Sequence, residues 1–335
     1  MKKTCKWLSA LVVAAWWNGV FAAADDGAAA DYPSRPVQVI VPFATGGPTD
    51  MIAREISKAL GEKLKKPFVI ENKLGAFGTI APAHVAKAAP DGYTLLFHEI
   101  GATFGIQPAV LKTLSYDVKK DFLPIAFAAK GPIFLFVSSD RPYKNIGDLV
   151  QAARQNPGKL DFGSAGGAGQ LPTHIGPELL MMKSGTQFTH IPYKGTGPAL
   201  VDLAAGRLDF MMTTGTGSAR PFLESGKVRP IGITGDKRSP IYPDIPTFAE
   251  QGFDLPELSY GTTWGFFAPA GTPPAIVSKL NAAINAVLES PSLKQALGRL
   301  DVEPEPMTVE QVTRFVAREI EAWPPLVRKM NIKVD

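Results

Sequence analysis

A strand, a glycine turn and a helix follow one another early in the chain, and this unit constrains the fold more than any other stretch. Val37–Phe43 is rich in residues that favour β-structure, and Gly46-Gly47 follows it. Apolar residues then recur at every fourth position over Ile52–Leu64, which predicts a helix over 49–65. The first N–H groups of a helix lack intrahelical partners and carry partial positive charge, so this turn indicates a site for a carboxylate or phosphate. The alternative is an ordinary turn of an open α/β sheet that binds nothing.

The same order of strand, glycine-marked turn and helix recurs along the chain, which predicts an α/β protein with parallel strands. Further turns of this kind lie at His98–Thr103, Ser164–Gly169 and Tyr193–Gly197. A chain of 335 residues is too long for one simple core, so two lobes are expected. Ile125–Ser138 is predicted to leave the first lobe, and Gly261–Pro269 to return to it.

Two later segments carry expectations of their own. Leu208–Met212 is predicted to be a strand, and a polar turn over Thr213–Ser218 is expected after it. The last long helix is predicted over Val309–Trp323, and Pro324-Pro325 is expected to end or bend it because proline lacks the backbone N–H.

The N-terminus has the pattern of a secretory signal peptide. Lys2, Lys3 and Lys6 precede the apolar run Leu8–Phe21, and small residues end it, so residues 1–24 are predicted to be cleaved and the protein to be periplasmic. A retained N-terminal anchor is the alternative. Residues 25–31 are predicted to be a disordered lead-in. Without the leader the net charge falls from +4 to about +1, which argues against a nucleic-acid partner.

Residues for catalysis or metal binding do not occur in the required patterns. The only cysteine, Cys5, lies in the leader, which excludes disulfides and thiolate sites in the mature chain. The four histidines lack the spacing of a zinc site, and Ser164 lacks the glycine two residues before it that a nucleophile elbow requires. No phosphate-binding P-loop is present, so no cofactor and no metal is expected. This favours binding over turnover. A secreted hydrolase that uses Ser164 and a sensory receptor for a histidine kinase remain alternatives.

Several short segments occur in the order found in a known family. They are Tyr32–Pro36, Val41–Asp50, Val69–Asn72, Ala86–Leu95, Ile191–Gly195, Lys237–Pro240, Pro243–Thr247 and Ala268–Pro273. With them the chain resembles the Bordetella-uptake-gene (Bug) family of periplasmic solute receptors, which serve tripartite tricarboxylate transporters. The segments span almost the whole mature chain; each alone is weak and the ordered set is specific.

This resemblance implies a two-lobed periplasmic-binding-protein fold of type II-like architecture, with a ligand cleft between the lobes. Residues 32–130 and 258–335 form lobe 1 in this prediction, and residues 131–257 form lobe 2. The ligand implied is a small organic carboxylate. The implied partners are the membrane permease subunits of a tripartite tricarboxylate transporter, and the protein is expected to be a monomer that closes around its ligand.

The resemblance and the positions of the turns together give the candidate ligand-binding residues. From lobe 1 they are Phe43, Ala44, Thr45, Gly46, Gly47, Thr49, His98 and Gly101. From lobe 2 they are Ser164, Gly166, Gly167, Gln170, Gly195, Thr196, Gly197, Thr213 and Thr214. The resemblance also implies that Thr213 occupies a position where the family often has aspartate, which argues against an amino-acid ligand.

Several of these residues have a second interpretation that does not involve a ligand. Phe43 can contact a ligand or only cover the end of the sheet, and Thr49 is interpreted first as the cap of its helix. His174 is expected to be structural, and Trp264 is expected in the core between the lobes. The nearest cation is Lys194, which can equally be a solvated surface lysine.

The identity of the ligand is not fixed by these residues. Phe43, His98 and Phe104, with the neutral Thr213, would tolerate an aromatic ring, so an aromatic dicarboxylate such as terephthalate is one hypothesis. An aliphatic dicarboxylate is the other.

Overall fold

The computed structural model describes residues 30–165, 170, 172–330 and 332. The predicted signal peptide 1–24 and most of the lead-in 25–31 lie outside these residues, as do the candidate residues Gly166 and Gly167. The strands in chain order are β1 (Val37–Val41), β2 (Phe68–Asn72), β3 (Thr94–Glu99), β4 (Phe122–Gly131), β5 (Ile133–Ser138), β6 (Asp161–Ala165), β7 (Thr189–Tyr193), β8 (Phe210–Thr214), β9 (Val228–Ile233), β10 (Thr262–Pro269) and β11 (Glu303–Pro304).

Helices pack on the faces of the strands. The α-helices in chain order are α1 (Pro48–Leu64), α2 (Ile80–Ala86), α3 (Gln107–Val110), α4 (Ile146–Gln155), α5 (Ile175–Ser184), α6 (Thr196–Ala204), α7 (Arg220–Glu224), α8 (Pro274–Leu288), α9 (Pro291–Gly298) and α10 (Val309–Met330). Short 3₁₀ turns occur at Ala76–Gly78 and Pro256–Leu258, and a π-helical segment spans Gly101–Ile106. None of the described helices is long and apolar enough to cross a membrane.

The strands form two separate sheets. The first has the order β11-β4-β10-β3-β1-β2 and the second the order β7-β6-β8-β5-β9. In the first sheet β1 runs parallel to both β2 and β3, and in the second β6 runs parallel to β7 and β8. Carboxyl ends of parallel strands meet at one edge, so each sheet gathers its strand-to-helix turns on one side.

The chain passes between the sheets where the sequence predicts. Strand β4 belongs to the first sheet and β5 to the second, with only Pro132 between them, because proline cannot donate to a continuing ladder. Strand β10 brings the chain back and pairs with both β3 and β4. Both predicted crossing strands are therefore confirmed.

Helix α1 shows how the sequence pattern becomes packing. Its apolar positions Ile52, Ile56 and Leu60 are fully buried in the core of the first lobe, with the valines of β1. Pro48 begins the helix, where the missing N–H costs nothing, and Lys65 ends it in a left-handed conformation.

Three segments differ from prediction. The stretch predicted as a turn at His98–Thr103 is the end of β3 followed by the π-helical segment. Gly105 lies so close to α10 that an added Cβ would stand 2.5 Å from Trp323 Cδ1, so the glycine permits this close packing. Thr213 and Thr214 are the last residues of β8 rather than part of a turn.

The third difference is the C-terminal helix, which continues through Pro324 and Pro325 to Met330, so the prolines do not end it. Trp323 and Val327 of α10 pack in the same core as Ile175 and Leu179 of α5, which flanks the second sheet. The contact compensates for the missing N–H groups by burying large apolar side chains. The last helix thereby spans both lobes.

Candidate functional site

A small cavity lies where the turn-bearing edges of the two sheets meet. It measures about 30 Å³, which holds little more than a water molecule. A dicarboxylate is several times larger, so the two walls must separate to admit one. Its described lining residues are Phe43, Ala44, Gly47, Pro48, Thr49 and Glu99 from the first lobe, and Ala165, Gln170, Pro172, Thr173, Gly195, Thr196, Thr213 and Thr214 from the second.

The first wall is the loop after β1, and a buried carboxylate fixes its shape. Asp50 accepts hydrogen bonds from the Gly46 amide at 3.0 Å and from Asn72 Nδ2 at 2.9 Å, and Arg54 binds it through two nitrogens. Asn72 Nδ2 also donates to the Phe43 carbonyl at 2.8 Å. Burial raises the pKa of Asp50, but the bonds from Arg54, the Gly46 amide and Asn72 outweigh it and hold the pKa below its ordinary value. Asp50 is therefore ionised at neutral pH and holds the loop.

Two helix N-termini face each other across the cavity. Helix α1 begins after Gly47 and helix α6 after Gly195, and neither start is capped by a side chain. A Cβ added at Gly47 would lie 3.8 Å from Thr196 Oγ1, and one at Gly195 would lie 3.2 Å from Ala44 Cβ. Both ends therefore offer backbone N–H groups and partial positive charge to the same small volume.

The lining contains no lysine, arginine or histidine among its described residues. Lys194, the nearest cation by sequence, is exposed and does not line the cavity. An anion in this cavity must therefore be bound by N–H groups and hydroxyls.

Glu99 is the one ionisable side chain among the described lining residues, and its two oxygens differ. Oε1 accepts a hydrogen bond from Thr49 Oγ1 at 3.1 Å, whereas Oε2 is buried without a hydrogen-bond partner. Thr49 Oγ1 also accepts from Trp264 Nε1 at 3.0 Å. Burial raises the pKa of Glu99 to about 8, and the bond from Thr49 opposes the shift only in part.

Gln170 reaches across the cavity from the second lobe. Its Nε2 donates a short hydrogen bond to the Phe77 carbonyl of the first lobe, and its Oε1 is buried without a partner. A carbonyl can only accept, so the amide nitrogen must lie on that side and Oε1 on the other. Ser218 Oγ makes a second contact between the lobes, donating to the Gly46 carbonyl at 3.0 Å. The structure is therefore a closed arrangement.

The structure brings nine of the candidate residues to the cavity. They are Phe43, Ala44, Gly47, Thr49, Gln170, Gly195, Thr196, Thr213 and Thr214. The interpretation of Thr49 as a helix cap is wrong, because Gly47 holds that position and the Thr49 hydroxyl is bonded to Glu99. The hydroxyl of Thr214 is paired with that of Thr262 at 2.5 Å.

Other candidates of the first lobe are not among the residues that line the cavity. Thr45 donates to Asn72 Oδ1 at 3.3 Å, and the Gly46 amide is bound to Asp50. His98 is fully buried behind Phe43, with their ring centroids 5.4 Å apart, and burial lowers its pKa to about 3. Gly101 packs on α10, where an added Cβ would lie 3.0 Å from Trp323 Nε1.

In the second lobe, Ser164 is fully buried and its hydroxyl is 2.5 Å from His190 Nε2. The His190 ring packs against both Phe162 and His174, at centroid distances of 5.0 and 4.2 Å, and burial lowers its pKa to about 4. This serine–histidine pair is not among the described residues that line the cavity. Gly197 lies in the first turn of α6, also outside the lining.

Two aromatic expectations are also resolved. Phe104 packs on Phe267 at a centroid distance of 4.4 Å within the first lobe, away from the cavity. Trp264 is fully buried in the core of the first lobe rather than between the lobes.

Sequence reasoning missed Pro48, Glu99, Ala165, Pro172 and Thr173. The position of Glu99 in the sequence could have identified it as a site residue, because it ends a buried strand at the edge where open α/β sheets bind ligands. This stretch is interpreted from the sequence only as a turn and for the spacing of its histidine, so the carboxylate of Glu99 is overlooked.

A larger groove of about 660 Å³ lies on the outer side of the first lobe, against α8 and α10. Its lining is mostly apolar, so it offers an anion few donors. No group of three or more acidic, histidine or cysteine side chains among the described residues is placed to hold a metal ion.

Comparisons with known proteins show which family and which solved structures this chain resembles. The model of the family described as "Tripartite tricarboxylate transporter family receptor" matches residues 52–332. Protein BugT of Bordetella pertussis is 33% identical over 303 residues, which is 90% of this chain and 91% of the relative. Among solved structures, R. palustris Rpa4515 with adipate is 36% identical with a TM-score of 0.84, covering 90% of this chain and 99% of that chain. MatC of Rhodopseudomonas palustris with bound malate is 36% identical with a TM-score of 0.79, covering 88% and 100%.

Proposed function

The chain belongs to the family of tripartite tricarboxylate transporter receptors, and from that membership we propose that it captures a small dicarboxylate in the cavity between its lobes. Members of this family are periplasmic solute-binding receptors rather than enzymes. Captured ligand then passes to the membrane permease subunits of such a transporter. In this proposal the receptor acts as a monomer after its N-terminal signal peptide has been removed.

The observation that carries the proposal is the pair of uncapped helix N-termini on opposite walls of a cavity without lysine, arginine or histidine in its described lining. Micromolar affinity requires about 8 kcal/mol, whereas one helix end contributes about 0.3–1 kcal/mol, rising to ~2 when partly buried. Hydrogen bonds to a charged group contribute about 1.5–3 kcal/mol each. Several such bonds from both walls are therefore needed, and the full set forms only when the lobes close.

An aliphatic dicarboxylate fits the lining better than an aromatic one. Phe43 is the only aromatic residue in the described lining, so the aromatic ring of a ligand could not stack between two aromatic side chains of that lining. The two related structures hold adipate and malate, which are aliphatic dicarboxylates. The proposed ligand lies in that range of size.

The first test is a calorimetric titration of the purified mature protein with malate, succinate, adipate, terephthalate, glutamate and inorganic phosphate. We expect an aliphatic dicarboxylate to bind most tightly, at about micromolar Kd or below. Tightest binding of glutamate or phosphate, or no binding by any dicarboxylate, would contradict the proposal.

A pair of variants ties that result to the cavity. Thr213 is 1% exposed, lines the cavity and ends β8, so Thr213→Asp places a negative charge against the ligand, whereas Thr213→Asn has nearly the same shape without the charge. We expect Thr213→Asp to weaken dicarboxylate binding by about a hundredfold and Thr213→Asn by about tenfold or less, since repulsion between buried charges is worth several kcal/mol. Equal losses in the two variants would show that the ligand's charge is not sensed there.

A further inference from the structure

The Glu99 side chain is the ionisable group of the described cavity lining, and the proposed anion binding leaves it unexplained. The residue is 6% exposed, and its Oε2 has no hydrogen-bond partner. A buried polar atom without a partner is costly, and an ionised carboxylate would also repel a bound anion. Both problems disappear if Oε2 carries a proton and donates it to a ligand.

The hydrogen bonds around Glu99 determine which oxygen would carry that proton. An indole N–H can only donate, so Thr49 Oγ1 must accept from Trp264 Nε1. The single hydroxyl proton of Thr49 then points to Glu99 Oε1, 3.1 Å away. Oε1 is therefore an acceptor, and a proton on Glu99 must sit on Oε2.

The described residues around Glu99 provide no positive charge that would stabilise its ionised form. The preceding His98 has its Nδ1 2.7 Å from the Glu99 amide, from which it accepts a hydrogen bond, and burial keeps its ring neutral by lowering its pKa to about 3. Trp264, opposite Glu99 on β10, and Thr49 on α1 are uncharged. Asp50, which follows Thr49, is already paired with Arg54. Burial therefore dominates and raises the pKa of Glu99 to about 8.

We propose that Glu99 is a specificity-determining residue that, in its neutral form, donates a hydrogen bond from Oε2 to one carboxylate of a bound dicarboxylate. This inference rests on the proposed function and adds to it. The ligand class is a fully ionised dicarboxylate, and its binding is coupled to the presence of one proton on the protein. The helix N-termini can bind the ligand's carboxylates at any pH, whereas Glu99 can donate its hydrogen bond only below its own pKa.

The sign of the pH dependence follows from this proton. Below the pKa of Glu99 the acid is present and affinity is highest. As the pH rises through about 8, Glu99 ionises in the empty cleft, and binding then requires it to take up a proton again. The affinity for the dicarboxylate therefore falls, and the loss approaches about tenfold per pH unit. A ligand carrying an ammonium group would show the opposite trend, because it would pair with the ionised form.

The test is calorimetry from about pH 6 to about pH 9, with the dicarboxylate that binds wild type most tightly at about pH 6. In Glu99→Gln the amide Nε2 replaces the acid as a donor that cannot ionise. We expect its Kd to lie within about threefold of wild type near pH 6 and to stay flat, while wild-type affinity falls above about pH 8. In two buffers of different ionisation enthalpy, wild type should take up protons on binding near pH 8, and Glu99→Gln should not.

Glu319→Gln is the matched control. Glu319 is another acid whose pKa is raised by burial, but it bonds Trp323 Nε1 at 2.7 Å and does not line the cavity. This variant should follow the wild-type pH profile.

The possible failures are distinguishable. If no dicarboxylate binds wild type at any pH, the proposed function is wrong. If wild type binds one with a flat profile and no proton uptake, or if Glu99→Gln keeps the wild-type slope, dicarboxylate binding stands and the role of Glu99 is wrong. Affinity that rises with pH for glutamate alone would assign Glu99 to an ammonium group and overturn the inference.

Discussion

At the scale of single residues, one buried carboxylate determines the shape of the loop that forms the first wall. Asp50 joins the Gly46 amide, the Asn72 side chain and the Arg54 guanidinium, and Asn72 continues the network to the Phe43 carbonyl. The bond to Asp50 removes the Gly46 amide from the set available to a ligand. Asp50 therefore positions the loop rather than binding the anion itself.

Asp50→Asn tests this positioning role. We expect a loss of about 1–3 kcal/mol in the free energy of unfolding at neutral pH, because Arg54 and the buried amides lose a charged acceptor, together with weaker ligand binding. Despite its burial, hydrogen bonds to the Asp50 carboxylate lower its pKa in the folded protein. The stability that ionised Asp50 contributes is therefore complete above its unfolded-state pKa, and it is lost as the pH falls through its folded-state pKa. The difference between variant and wild type in chemical denaturation should therefore shrink at acid pH.

A matched control lies on α10, where Glu310 pairs with Arg314 at the same four-residue spacing but both side chains are exposed. Glu310→Gln should change the unfolding free energy by no more than ~0.5 kcal/mol. A loss as large as that of Asp50→Asn would show that spacing, and not burial, determines the effect.

At the scale of elements, the start of α6 approaches the first wall so closely that a Cβ at Gly195 would be crowded. Gly195 has extended backbone angles that any residue adopts, so the glycine matters because it lacks a side chain and not because of its backbone conformation. A Cβ there would stand 3.2 Å from Ala44 Cβ, whereas a Cβ at Gly197, two residues along, would meet no atom within 4 Å.

Gly195→Ala is therefore expected to disfavour closure without damaging the second lobe. Dicarboxylate affinity should fall by about tenfold, which corresponds to ~1.4 kcal/mol, with little change in melting temperature. Gly197→Ala places the same methyl group in the same turn and should bind like wild type. Isothermal titration and thermal unfolding of both variants measure this, and equal affinities would contradict the close approach.

At the scale of the whole molecule, the two lobes are connected both at the cavity and behind it. Gln170 and Ser218 make hydrogen bonds across the cavity, while Trp323 and Val327 of α10 lie in one core with residues of the second lobe. Contacts at the cavity are few and polar and can exchange with water, whereas those of α10 are apolar and persist. We therefore expect opening to occur at the cavity while α10 keeps the lobes together.

Small-angle X-ray scattering tests this motion. The closed cavity of about 30 Å³ cannot admit a dicarboxylate, so the ligand-free protein in solution should have a larger radius of gyration than the structure gives. Saturating dicarboxylate should reduce it. At a ligand concentration that saturates wild type but lies below the weakened Kd of Thr213→Asp, this variant should show no reduction. An unchanged radius in wild type at saturation would contradict closure around the ligand.

The sequence by itself determined the alternation of strands and helices, the two crossing strands and the glycine turns after β1 and β7, because these depend on local spacing and backbone freedom. Together with the family resemblance, the positions of the turns also identified nine residues of the cavity lining, since the carboxyl ends of parallel strands meet at one edge of a sheet. Only the tertiary structure decided which side chains at those ends turn inward: Ser164 bonds to His190 and Gly101 packs on Trp323, while Glu99 faces the cavity. The orientation of a side chain at a strand end depends on elements distant in sequence, such as β10 and α10, and so does the burial that keeps Glu99 neutral. No local sequence pattern encodes either property.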